Sequence, residues 1–167
     1  GQPSAQLNPG AFGPCWLVKG IKFVNSVNNE MLALDSTNLR DTAVVNESFK
    51  ASIKQLPVAD SLASIKISER QNDKITYAFN ASAPQFAVLS EIYYNRGWNA
   101  YVDGQKADYV KTNYALRGIA IPAGKHTVDF RFEPTAYKTG NAISFWGVAL
   151  IYLILAVALF LLFKKKN

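Results

Sequence analysis

Residues 64–104 read SIKISERQNDKITYAFNASAPQFAVLSEIYYNRGWNAYVDG, with apolar side chains recurring at every second position. Ile65 and Ile67 alternate with Lys66 and Ser68, and Ile75, Tyr77 and Phe79 alternate with Thr76, Ala78 and Asn80. Phe86, Val88, Ser90, Ile92 and Tyr94 share one parity; Trp98, Ala100 and Val102 share another. Farther on, His126, Val128, Phe130 and Phe132 stand opposite Thr127, Asp129, Arg131 and Glu133. Successive side chains of an extended chain point to opposite faces, so this period marks half-buried antiparallel strands. The breaks carry turn chemistry. Asn72-Asp73 separates two runs, Asp103-Gly104 is a two-residue hairpin signal, and Pro122-Ala123-Gly124 asks for a positive φ at its glycine.

Upstream, CWLVKGIKFV (15–24) reads as one strand and TAVV (42–45) as another. Between them NSVNNEMLAL (25–34) has helical chemistry, with Asn25 or Ser26 as cap and Val27, Met31 and Leu34 at helical spacing. GQPSAQLNPGAFGP (1–14) is rich in Pro and Gly without apolar periodicity and reads as a linker. The expected fold is mainly β: an antiparallel, two-layer, jelly-roll-like β-sandwich over residues 15–141, filled by one core, with one short helix near its N-terminus.

The last segment differs in kind. AISFWGVALIYLILAVALFLLF (142–163) holds no charge over twenty-two residues. As a helix it is about 33 Å long, enough for a hydrocarbon core of about 30 Å. Trp146 and Tyr152 lie in its first half, where amphipathic rings suit a headgroup layer, and Lys164, Lys165 and Lys166 follow it. These five residues form the expected membrane anchor. Positive flanks stay cytoplasmic, so residues 164–167 are read as a cytoplasmic tail and the main domain as extracytoplasmic, on a single C-terminal span of a membrane. Residues 1–14 lack a basic, apolar leader, so the translocation signal is expected upstream, in a larger membrane protein.

The formal charge of +6 does not point to nucleic acid. Three of the eighteen basic residues are the terminal lysines, and the fifteen others mix with twelve acidic residues without a basic run. That is an ordinary solvated surface. One His and one Cys offer no paired-ligand spacing, so no metal, cofactor or catalytic residue is assigned. His126 reads as a hydrogen-bonded residue at the core's edge and Cys15 as a small buried one. Asp103, Asp108, Asp129 and Glu133 read as solvated carboxylates on turns and outward faces.

One stretch suggests a ligand. YYNRGWNAY (93–101) sets aromatic rings beside Asn and Arg, the mixture with which a shallow site stacks on a sugar and binds its hydroxyls. Trp98, Asn99, Tyr101 and Asp103 are the candidate contacts. The competing reading makes Trp98 a core anchor and the tyrosines ordinary strand residues. An exposed, concave patch of Tyr93, Tyr101 and Tyr109 would favour the sugar-binding reading.

GWNAYVDGQKADYV, then LRGIAIPAGKHTVDFRFEP, then Gly140 before the last apolar helix, resembles the C-terminal end of the bacterial YfhO family, and QLNPGAFGPCWLVKGIKFV resembles that family's entry into the same domain. The resemblance covers nearly the whole chain, and the Gly-Trp…Asp-Gly…Pro-Ala-Gly-Lys-His series is its most specific part. It implies a large polytopic protein similar to GT-C-type, lipid-linked glycosyltransferases, whose acidic catalytic residues lie in the N-terminal membrane half. This chain would then be a non-catalytic accessory domain that positions a glycan or cell-envelope acceptor. The alternative is a structural or protein-interaction domain packed on the membrane half or on a partner chain. The expected partners are the bilayer, that membrane half or a partner membrane chain, and a glycan.

Deleting residues 142–167 is expected to convert a detergent-requiring protein into a soluble one. Flotation with liposomes checks this, and a truncated form that still floats would contradict the single-anchor reading.

Overall fold

A computed structural model describes Asn8 and residues 10–166, apart from the side chains of Lys138, Phe160, Phe163 and Lys166. Most of the expected linker therefore lies outside the described residues, as do Asn167 and the Lys166 side chain. The chain divides after Phe132 into two compact units.

Among the described residues, eleven strands build the first unit: β1 Cys15–Val18, β2 Gly20–Val24, β3 Thr42–Asn46, β4 Ser64–Arg70, β5 Lys74–Ala81, β6 Gln85–Ile92, β7 Trp98–Val102, β8 Gln105–Ala107, β9 Val110–Thr112, β10 Leu116–Ile121 and β11 Gly124–Phe132. They form a six-stranded sheet, β1-β6-β10-β9-β3-β2, and a five-stranded sheet, β4-β5-β11-β7-β8. The mainly β, two-sheet architecture read from the alternation is the one observed.

The larger sheet is curled, and chain connectivity shows why. The single strand expected over 15–24 breaks at Lys19. Its first half pairs with β6 and its second half with β3, so β1 and β2 are the two edges of one sheet. Flat, six strands would hold those edges about 24 Å apart. Here one residue joins them, so the sheet must bend round until its edges meet. The amides of Lys19 and Gly20 both donate to the Asp41 carbonyl, at 2.8 and 3.1 Å, which fixes the corner.

β2 and β3 run parallel, the exception to the expected antiparallel pairing. A parallel pair needs a crossover, and the helix α1, Val27–Ser36, supplies it. Ser26 caps α1, its hydroxyl accepting from the Asn29 amide at 3.2 Å. Of the three apolar residues at helical spacing, Leu34 packs inward, against Val24, Ala33 and Val44. Val27 and Met31 are about half exposed, while Glu30 and Ala33 are buried. The polar atoms of the neighbouring β9–β10 turn decide this. Glu30, itself fully buried, accepts from Lys111 Nζ and from the Tyr114 amide, both at 3.0 Å, and so meets partly buried donors that no apolar side chain could satisfy.

Among the described residues the core divides into three clusters where one was expected: a small one of Val24, Ala33 and Val44 under α1, and two larger ones on the two faces of β6. Between the sheets, Ala87 and Leu89 meet Tyr77, Phe79, Ile119, Ile121, Val128 and Phe130. Inside the curl, Phe86 and Val88 meet Val18, Ala43, Val45 and Val110. From Gln85 to Leu89, β6 is therefore buried on both faces. Gly118 is the tight point of the inner core: a Cβ there would lie 2.4 Å from Phe86 Cζ and 3.0 Å from Thr112 Cγ2.

Turn chemistry is obeyed where it was legible. Asp103 and Gly104 take φ of 50° and 80°, the two positive values that a type I′ hairpin requires, and Gly124 takes 130°. The second unit holds α2, Thr135–Lys166, which begins seven residues before the uncharged run. Its stretch Thr135–Leu159 is long and apolar enough to cross a membrane, and none of that apolar span is buried, as expected of a helix whose solvent is lipid rather than a protein core. Trp146 and Tyr152 are about 70% exposed, and Lys164 and Lys165 are exposed.

Gly118→Ala is expected to destabilise the fold by about 1–3 kcal/mol, because Phe86 is fully buried and cannot swing aside. Gly20→Ala, whose Cβ would meet nothing nearer than 3.9 Å, serves as control in denaturant unfolding. Equal midpoints for the two variants would contradict the packing argument.

Candidate functional site

β7 presents the candidate contacts, and alternation along it sends them to different places. Trp98 and Ala100 point between the sheets. The Arg117 guanidinium lies 4.3 Å over the Trp98 ring, and Phe132 packs 5.4 Å from it. Trp98 thus sits half-buried at the core's edge. Asn99 and Tyr101 point to the outer face of the smaller sheet. Asp103 occupies the turn beyond β7, about 13 Å along the strand from Asn99. The structure brings Asn99 and Tyr101 onto one surface and leaves Trp98 and Asp103 off it.

That surface contains a polar cluster which sequence reading missed. Asp129 on β11 stands across from Thr76 on β5 and from Tyr101 on β7. Its place on an outward strand face predicts a solvated carboxylate, yet it is only 8% exposed. Its carboxylate accepts from Thr76 Oγ1 at 2.7 Å and Arg131 Nη2 at 2.6 Å, with Lys74 Nζ at 3.8 Å. Burial by itself pushes this carboxyl up. The hydrogen bonds from Thr76 and Arg131, with the charges of Lys74 and Arg131, more than offset that and hold it below the usual range. Arg131 also places its guanidinium 4.7 Å over the Tyr101 ring. The Asp-x-Arg spacing of 129 and 131, two residues on one strand face, was a legible signal for this pair. Thr76 comes from a strand more than fifty residues away and was not.

Asp103 is used by the fold itself. Its Oδ1 accepts from the Thr127 amide at 2.8 Å, and its Oδ2 meets His126 Nδ1 at 2.5 Å. His126 Nε2 faces the Ala123 carbonyl at 3.1 Å. Both imidazole nitrogens therefore face oxygen acceptors, an arrangement suited to the doubly protonated ring and not to a general base with a lone pair to offer. The hydrogen bond to Asp103 leads the causes that hold His126 above its ordinary value, while the Thr127 amide leads those that hold Asp103 below its own. Two surface hollows flank the pair. One, of about 350 Å³, is lined by Lys66, Asn80, Lys125 and Thr127; the other, of about 430 Å³, by Gln105, Lys106 and Pro122.

The three tyrosines do not form a common patch. Tyr93 and Tyr109 are half-buried and pack 5.4 Å apart, and Tyr109 meets Phe130 edge-on at 5.2 Å. Tyr101 lies on the opposite face of the sheet. Burial raises the phenols of Tyr93 and Tyr109, and it raises the Cys15 thiol, which points at the Ile65 carbonyl. Arg117 is 3% exposed, with Nε donating to the Ile92 carbonyl at 3.0 Å. Burial lowers its pKa, and the Trp98 and Phe130 rings partly replace its lost hydration.

The profile of the family described as "Bacterial membrane protein YfhO" matches residues 21–144, from within β2 to within α2. A similar protein is the "Uncharacterized protein YfhO" of Bacillus subtilis (strain 168), 25% identical over 128 residues. The aligned stretch is 77% of this chain but 14% of that relative's length. No solved structure matches the chain.

The Asp103–His126 pair sets a pH dependence. With His126 raised above 6.5, its contribution to stability is full below that value and fades as pH rises through the folded value. With Asp103 lowered below 3.8, its contribution is full above that value and is lost as pH falls through the folded one. The stability lost in His126→Gln is therefore expected to be largest between about pH 4 and 6.5 and to shrink above it. Melting temperatures of both proteins from pH 4 to 9 check this; a constant difference would contradict it.

Proposed function

Because this chain belongs to the YfhO family of bacterial membrane proteins, we propose that its β unit is a non-catalytic accessory domain on the extracytoplasmic side, presenting a glycan or envelope acceptor to the membrane part of a larger, glycosyltransferase-like protein. The observation that carries the reading is the outer face of the smaller sheet. There the Tyr101 ring lies beside Asn99 and a buried, charge-paired Asp129, a ring for stacking next to fixed hydrogen-bonding groups. The commitment of both His126 nitrogens fits a binding rather than a catalytic role. The lysines at 164 and 165 support the orientation. Trp98 and Asp103 enter this proposal as supports of the strand, Trp98 by packing at its start and Asp103 by fixing the turn at its end.

Two observations favour the second reading, a structural domain packed on the membrane part or on a partner chain: Tyr93, Tyr101 and Tyr109 form no common patch, and the one of these rings left on the outer face is already in use. The Arg131 guanidinium already covers a face of the Tyr101 ring.

A shallow platform buries little ligand, so affinity near millimolar, about −4 kcal/mol, is expected for envelope oligosaccharides. In an NMR titration of the chain in detergent micelles, shifts should gather on Asn99 and Tyr101 and vanish in Tyr101→Ala with the fold retained. No shifts at saturating sugar would leave the structural reading in its place.

A further inference from the structure

We propose that the loop between β6 and β7 rests on the surface of the bilayer that α2 enters, with Ile92 and Tyr94 in the interfacial layer and Arg96 on anionic lipid headgroups. This goes beyond the glycan reading and is independent of it.

The exit point of the chain selects this end of the β unit. β11 finishes at Phe132, which pairs with Trp98 and whose amide donates to the Asp73 carbonyl at 2.7 Å. The 93–97 loop therefore lies beside the place where the chain leaves the sheet. Residues 133–141 join Phe132 to the uncharged run, and α2 is already helical from Thr135. The seven helical positions among them rise about 10 Å at about 1.5 Å per residue, and the two before the helix add at most about 7 Å, so the tether is no longer than about 17 Å. The polar layer on each side of the hydrocarbon is itself roughly 5–8 Å thick. The exit end is thus tethered close to the headgroups.

The chemistry of the loop fits that neighbour. Ile92 is 66% exposed, Tyr94 50% and Phe132 40%. Tyrosine suits the interfacial layer, where its ring meets the acyl boundary and its hydroxyl meets water. Leu56, Val58 and Leu62 are also exposed, but their segment joins the opposite end, where the Val58 amide donates to the Pro84 carbonyl. The nine residues of β11 separate the two ends by about 30 Å. Among the described arginines, Arg70 pairs with Glu91, Arg131 with Asp129, Arg40 with the Gly10 carbonyl and Arg117 with the Ile92 carbonyl. Arg96 is exposed and makes no hydrogen bond or ion pair among the described residues, so its fork is available for a phosphate. The loop backbone is held in place while these side chains project. Tyr109 Oη lies 2.9 Å from the Tyr94 carbonyl and 3.2 Å from that of Trp98, and the Tyr93 amide donates to the Ala115 carbonyl at 2.7 Å.

The test uses the whole isotope-labelled chain in phosphatidylglycerol-containing nanodiscs, with a nitroxide on a minority of the lipid headgroups. Amide signals of residues 92–97 should broaden severalfold more than those of the 103–104 and 122–124 turns. Arg96→Glu should reduce the excess, as should higher salt, and Ile92→Ser combined with Tyr94→Ser and Arg96→Glu should abolish it with the remaining spectrum unchanged. Excess broadening that persists in both variants would mean tethering alone and would overturn the proposal. So would loop signals no broader than those of the far turns.

Discussion

The Asp41 carbonyl receives two amide hydrogens, those of Lys19 and Gly20, and the larger sheet turns on that corner. The Lys19 ammonium closes on the Asp41 carboxylate at 2.7 Å, although an exposed pair of this kind adds little stability of its own. What matters is the backbone. By ending β1 on β6 and starting β2 on β3, the corner forces opposite edges of one sheet together. A curled sheet has a concave side that must be filled, so Phe86, Val88, Val18, Ala43 and Val45 become a second core instead of a solvent face. The demand for a glycine at position 118 and the burial of β6 on both faces follow from the same bend.

The parallel pairing of β2 with β3 is part of that geometry. It requires a crossover, and α1 fills the requirement while carrying a carboxylate into the interior. A buried charge is costly unless its lone pairs are satisfied. Glu30 answers with Lys111 and the Tyr114 amide, tying the helix to the β9–β10 turn, where Asn113 and Tyr114 adopt positive φ and Asn113 Oδ1 accepts from the Val44 amide. The polar contacts here fix how helix, turn and strand fit together, while the apolar cores supply most of the driving force.

The smaller sheet divides its labour by face. Its inner side, with Tyr77, Phe79, Val128 and Phe130, is core. Its outer side holds the Thr76–Asp129–Arg131 cluster beneath and beside Tyr101, so the surface most suited to a polar ligand is already preorganised by ion pairing. At the unit's two ends the chemistry differs again. One end carries the Asp103–His126 clasp, and the other carries Tyr94, Arg96 and the exit of the chain toward α2.

Alternation from Ser64 onward, the Asp103-Gly104 and Gly124 turns, the Ser26 cap and the uncharged run after Asn141 were all legible in the sequence. Each is a local property: a side-chain period, a φ preference or a transfer free energy belongs to the residues that show it. The face on which Asn99 and Tyr101 sit was legible for the same reason. The burial of Glu30 on α1, the burial of Asp129, the cation between Trp98 and Phe130, and the division of one apparent strand at Lys19 were not. Each depends on partners supplied by distant segments, such as Lys111 for Glu30 and Thr76 for Asp129. The sequence by itself determined strands, turns and a membrane-compatible helix, because those follow from neighbours along the chain. Only the tertiary structure decided that two adjacent strands would become opposite edges of one sheet, because strand pairing is settled by backbone hydrogen bonds between segments far apart in sequence.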